Sequence, residues 1–107
     1  MSNYHIPVLK SQSIDCLIQN ESGIYIDATF GGGGYSKEIL SRINSNGKLY
    51  AFDLDTDAKK ESEKITDSNF YFINDNFANI KENLLKNNIK RVDGIVADLG
   101  VSSYQID

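Results

Sequence analysis

Short apolar runs rich in β-branched and aromatic residues alternate with helix-periodic stretches along this chain, and that alternation restricts its fold more than any other feature. Residues 24–28, 48–52, 70–73 and 92–97 read as strands. Residues 36–43, 55 or 56 to about 65, and 77–87 read as helices between them. Ile39, Leu40 and Ile43 share one face of the first of these helices. Phe77, Ile80, Leu84 and Leu85 are expected to point inward on the last. Asp55 or Thr56, and Asn76, stand where caps are needed, because their side-chain oxygens accept from free helical N–H groups. Strands joined by helical crossovers run parallel with right-handed connections. The fold class is therefore α/β, with a partial parallel sheet of order 3-2-1-4 and flanking helices. That order reverses between strands 1 and 4, and open α/β sheets bind ligands beyond the carboxyl ends of strands at such a reversal.

A quarter of the way in, "IYIDATFGGGGYS" runs a buried strand into four consecutive glycines, half of the chain's 8. Glycine tolerates positive φ and leaves the main chain bare, so a ligand can approach it closely. At a strand-to-helix junction the free N–H groups are aimed at that ligand. A dinucleotide fingerprint needs G-x-G-x-x-G. Gly31 and Gly33 supply the first pair, but Ser36 stands in the third place, and no Gly-Lys-Ser/Thr follows to make a phosphate loop. Asp27 followed by Gly31 and Gly33 makes acid-x-x-x-G-x-G, which resembles the first motif of S-adenosylmethionine-dependent methyltransferases. That cofactor carries a carboxylate for the backbone N–H groups, and cationic groups that nearby acids complement.

Asp53 ends strand 2, where a carboxylate reaches a ribose diol. Phe77 opens the helix after strand 3, where it either packs on an adenine ring or joins the core. Asp98 ends strand 4 in "VADLGVSS", facing the place where donor and acceptor meet. A nicotinamide-dependent oxidoreductase shares the glycine loop and the acid after strand 2. A non-catalytic cofactor-binding module is the third reading.

The totals exclude other classes. At 107 residues there is room for one small domain. A net charge of −4 opposes a general nucleic-acid-coating surface. Lys59-Lys60 and Lys90-Arg91 are short pairs beside acids and read as solvated surface. No run approaches the roughly 18 apolar residues of a membrane span, and no signal peptide opens the chain. The single cysteine, Cys16, excludes an internal disulfide and fits a reducing, cytoplasmic setting. It lies in a helix-periodic stretch with Ile14, Leu17 and Ile18 and is expected to be buried.

Taken together, "HIPVL", "GIYIDATFGGGGYS", "AFDLD", "NDNF" and "VDGIVADLGVSSYQID" resemble the N-terminal part of the MraW/RsmH family. The last block carries most of the specificity. The resemblance implies a Rossmann-like methyltransferase fold and S-adenosyl-L-methionine as cofactor. It also implies N4 methylation of a cytidine in 16S ribosomal RNA, in the small ribosomal subunit. Cofactor contacts are then implied for Gly33, Gly34, Tyr35, Asp53, Phe77, Asp98 and Gln105. Asp98, Ser102 and Ser103 are the candidates for holding the amine. Tyr35 and Tyr104 replace the family's usual histidine and proline, and His5 matches a family histidine. No metal is implied. The family pattern continues further, so this chain is expected to be a truncated cofactor half lacking the later strands, a helical insertion and most of the RNA-binding surface. Strand 4 would then be an open edge, apolar on both faces, and prone to self-association or partner pairing.

Overall fold

A computed structural model describes residues 14–97 and 100–102. Its elements are β1 (Ile24–Asp27), α1 (Gly34–Leu40), β2 (Lys48–Phe52), α2 (Thr56–Ser62), β3 (Phe70–Ile73), a 3-10 turn (Phe77–Asn79) leading into α3 (Ile80–Lys86), β4 (Gly94–Ala97) and β5 (Gly100–Ser102). They form one sheet of order β3-β2-β1-β4-β5. The first four strands are parallel, as the alternation with helices requires. Residues 14–17 are also helical.

The sheet is covered on both faces, which is why its strands are apolar runs and not alternating ones. On one face Tyr25, Leu49 and Val96 pack with Ile14, Leu17, Ile39 and Ile43. On the other, Ile26, Tyr50, Phe52 and Ile95 pack with Ile80, Leu84 and Ile89. Successive strand residues point to opposite faces, and these two sets alternate accordingly. Burying each large side chain fully contributes about 1.5–3 kcal/mol, so these two layers hold the helices on the sheet.

Register sets all four parallel strands to end together. Asp27 at the end of β1 lies opposite Ala51 on β2 and Val96 on β4, and Phe52 lies opposite Ile73 on β3. The loops leaving these strands therefore gather at one end of the sheet.

Several expectations are corrected. Cys16 is exposed, because a helical turn over residues 14–17 sends Ile14 and Leu17 inward and Cys16 outward. Leu85 is 75% exposed, since it lies one residue around the helix from inward Leu84. The first predicted helix begins at Gly34, two positions earlier than read, and the second ends at Ser62. The start of the third is a 3-10 turn capped as expected, with Asn76 Oδ1 accepting from the Ala78 N–H at 2.9 Å. Nor is β4 an open edge. β5 pairs with it antiparallel, Ile95 opposite Ser102 and Ala97 opposite Gly100. Self-association along that edge loses its basis, because the unpaired backbone groups that would drive it are taken up by the chain itself.

Candidate functional site

The glycine loop is shaped by its own neighbours. Gly33 has φ 86° and ψ 10° and precedes the first residue of α1. A Cβ placed there would sit 2.9 Å from Phe30 Cζ. Phe30 is in turn held by Phe70 and Phe72, with ring centroids 5.8 and 5.5 Å away. One glycine is thus needed for conformation and for contact with the core beneath. Gly31 shares the left-handed conformation, at φ 55°, but a Cβ on it or on Gly32 would meet nothing within 4 Å. Their outer side is bare main chain facing open space.

Asp27 is fully buried and does not enter that space. Its Oδ2 accepts from the Ser36 hydroxyl at 2.7 Å, and its Oδ1 accepts from the Thr29 N–H at 3.2 Å. Ser36 is buried as well. The acid therefore fastens the loop and α1 to the end of β1. It also explains Ser36, whose position could not be glycine without losing the hydroxyl that the buried carboxylate uses.

Asp53 fastens the loop from the other side. Its Oδ2 accepts from the Gly31 N–H at 2.8 Å and its Oδ1 from the Asp55 N–H at 3.0 Å. Asp55, not Asp53, caps α2 by accepting from the Asp57 N–H. A carboxylate oxygen accepts about two hydrogen bonds, so each Asp53 oxygen retains an acceptor position.

A cleft of about 220 Å³ opens at this end of the sheet, lined by Ala28, Thr29, Asp53, Leu54, Asp75, Asn76 and Phe77. It joins the ends of β1, β2 and β3. Phe77 is half-buried, meets Phe52 edge-on with ring centroids 5.7 Å apart, and also lines the cleft, so it joins the core and still presents a surface to that space. Leu54 is 59% exposed at the mouth. Asp75 is a member that the sequence reading left unassigned. The side chains of Asn83 and Asn79 and the Asn76 N–H hold its carboxyl below the usual range. Its only sequence signal is a run of asparagines at helical spacing after it.

The structure thus brings Asp53 and Phe77 into one cleft, with Gly33 and Gly34 beside it on the loop that Asp53 anchors. Tyr35 is half-buried and packs against the core under α1. Asp98, Ser103 and Gln105 lie outside the described residues, as do His5 and Tyr104, and Ser102 is described only as backbone of β5. What is fixed is that β4 leaves the sheet at the same end as β1, through Asp27 opposite Val96. Among the described residues no group of His, Cys, Asp or Glu is arranged to hold a metal ion.

The model of the MraW methylase family matches residues 2–107. The chain belongs to the MraW methylase family. A ribosomal RNA small subunit methyltransferase H from Christiangramia forsetii is 51% identical over 107 residues, covering 100% of this chain and 35% of that protein. The chain thus spans about a third of the length of the curated relatives it matches. Among solved structures, a Clostridium thermocellum protein assigned as an rRNA-methylase superposes with a TM-score of 0.68 at 22% identity, over 90% of this chain and 54% of that one. A Streptococcus mutans protein assigned as a methyltransferase, solved in complex with SAH, gives 0.57 at 22% identity over 88% of this chain and 54% of that one. At such identities the likeness establishes the fold, a Rossmann-like α/β sheet.

Proposed function

We propose that this chain is the cofactor-holding part of an S-adenosylmethionine-dependent methyltransferase that modifies the N4 amine of a cytidine in 16S ribosomal RNA. Membership of the MraW methylase family supports the assignment, and one structural observation carries it. Asp53 and Phe77 line a single cleft, and the same Asp53 carboxylate holds the bare main chain of the glycine loop through the Gly31 N–H. The residues present fit the cofactor. The free acceptor positions of Asp53 suit the ribose hydroxyls. The Phe77 ring and the exposed Leu54 offer apolar surface to the base. Gly33, Gly34 and Tyr35 would offer main-chain contacts to the amino-acid end.

When bound, the cofactor supplies an electrophilic methyl group. This chain's contribution is positional. The bonds from Asp53 to Gly31 and from Asp27 to Ser36 hold the loop from two sides, so the site is ordered before a ligand arrives. Asp98 and Gln105 would complete the cofactor contacts, and Asp98, Ser102 and Ser103 would hold the acceptor amine in line, where orientation supplies much of the rate. A cytidine stacked in folded RNA must be turned outward to reach such a site. The remainder of the protein would supply most of the RNA contact, consistent with the net charge of −4 here. The setting is then the cytoplasm, and among the described residues no helix is long and apolar enough to cross a membrane.

Calorimetric titration with S-adenosylmethionine and, separately, NAD tests the cofactor reading. Saturable binding of the first alone is expected. Binding of NAD alone would replace the reading with an oxidoreductase, and binding of neither would leave a folded module without a cofactor.

A further inference from the structure

The turn that carries the chain from α1 into β2 contains the step Asn46-Gly47, at the opposite end of the sheet from the cleft. Asn46 is exposed, and its side-chain amide makes no hydrogen bond among the described residues. Gly47 is held on every side. Its N–H is shared between the Asn44 carbonyl at 3.0 Å and Asn44 Oδ1 at 3.1 Å. Its carbonyl accepts from the Asn69 side-chain amide at 2.9 Å. A Cβ placed on it would lie 2.5 Å from the Glu21 carbonyl oxygen, so glycine is required there. Asn44 is fixed in turn. Its Oδ1 also accepts from the Asn46 N–H at 2.8 Å, its Nδ2 donates to Ser22 Oγ at 2.8 Å, and its N–H donates to the Glu21 carbonyl at 2.9 Å.

We propose that Asn46 is a site of spontaneous deamidation and that Asn44 sets its rate. The nucleophile is the Gly47 nitrogen. Hydroxide removes its proton, the nitrogen bonds to Asn46 Cγ, and the Cγ–Nδ2 bond breaks with loss of ammonia, leaving a cyclic imide. Water then opens the imide at either carbonyl and gives aspartate or isoaspartate at position 46. Glycine is the least hindered neighbour for that attack, because no Cβ stands beside the nitrogen. Here the proton that must leave is donated to two acceptors. The nitrogen cannot turn toward Asn46 Cγ until the turn opens locally. Two hydrogen bonds of ordinary net strength hold the reaction about 5–100-fold below its rate in a free chain. Isoaspartate adds a methylene to the main chain between positions 46 and 47. That addition displaces Gly47 from Asn44 and Asn69 and loosens the start of β2, where the Lys48 N–H donates to the Gly23 carbonyl at 2.9 Å.

The test incubates the whole chain at mildly alkaline pH and follows the tryptic peptide of residues 43–48 by mass spectrometry, with fragmentation to place the modification. A synthetic peptide of residues 41–50 gives the free-chain rate. The folded chain is expected to react about 5–100-fold more slowly than the peptide. Asn44→Ala, with folding checked by thermal melting, loses one acceptor and should react about 2–10-fold faster than the unaltered chain. Asn44→Asp keeps that oxygen and should stay close to the unaltered rate. Equal rates in the folded chain and the peptide overturn the proposal, as does a folded Asn44→Ala protein that reacts at the unaltered rate. Modification appearing first at another asparagine overturns it too. Should Asn44→Ala fail to fold, hydrogen exchange at the Gly47 amide of the unaltered chain decides. Exchange slowed by the same factor as the reaction supports the proposal, and exchange as fast as in the peptide overturns it.

Discussion

Gly33 and Gly32 are neighbours with opposite reasons for being glycine, and substituting each by alanine separates protein-imposed from ligand-imposed constraint. Gly33 sits at φ 86°, and its added Cβ would lie 2.9 Å from Phe30 Cζ. The left-handed conformation costs an L-residue roughly 1–2 kcal/mol. Overpacking against a ring pinned by Phe70 and Phe72 adds about 1–3 kcal/mol. Gly33→Ala is therefore expected to lose about 2–5 kcal/mol of the roughly 5–15 kcal/mol available to a small domain. At about 4–8 °C per kcal/mol, the melting temperature falls by roughly 10 °C or more. Gly32 has no positive φ and no atom within 4 Å of its added Cβ. Gly32→Ala should leave stability unchanged or raise it by about 0.4–1 kcal/mol through the unfolded chain. Its effect should appear only in binding, where the new methyl stands in the space assigned to the cofactor and lowers S-adenosylmethionine affinity tenfold or more, on the order of 1.4 kcal/mol. Urea denaturation and calorimetric titration of both variants measure the two quantities. A Gly32→Ala protein of wild-type stability and wild-type affinity would refute the claim that the loop's bare side faces the ligand.

Other expected outcomes follow from single contacts. Ser36→Ala removes the buried hydroxyl that donates to Asp27 at 2.7 Å and should cost about 1–3 kcal/mol in urea denaturation. Leu84→Ala should cost about 2–5 kcal/mol in the same assay, whereas Leu85→Ala, altering a side chain 75% exposed, should change it by less than about 0.5 kcal/mol. The carboxyl of Asp75 titrates below its usual range because of Asn83, Asn79 and Asn76. Its contribution to stability is therefore present above the unfolded-state value and lost as pH falls through the lower folded-state value. Chemical denaturation across that acidic window should show this loss, and Asp75→Asn should lack that part of the slope.

The fold was legible because its strands are short, apolar and regularly separated by helical pattern. The two strands bounded by clear turns, residues 48–52 after Asn46-Gly47 and residues 70–73 after Asp67-Ser68, were placed to the residue. Helix ends were less legible, since α1 starts inside the glycine run, where propensity argues against a helix but the Gly33 conformation opens one. β5 was hidden because "GVS" is too short to show a period, and pairing with β4 alone makes it a strand. At the site, Asp53 and Phe77 could be found by position after their strands. Asp27 and Ser36 could not be paired from sequence, because the chemistry depends on the chain returning a serine nine positions later over the acid. Asp75 was invisible for a related reason. Its significance lies in three donors, two of them on α3 residues or the turn before it, that converge only in space.

The central claim, that an adenosine-linked cofactor lies across the ends of β1, β2 and β3, is tested most directly by assigning backbone amide resonances and titrating with S-adenosylhomocysteine. The account predicts that the largest shifts fall at residues 31–35, 53–54 and 75–77, with little change in the groove on the far side formed by Lys37, Ser41 and Lys64 to Asp67. Shifts concentrated in that lysine-bordered groove, with the glycine loop unmoved, would contradict it.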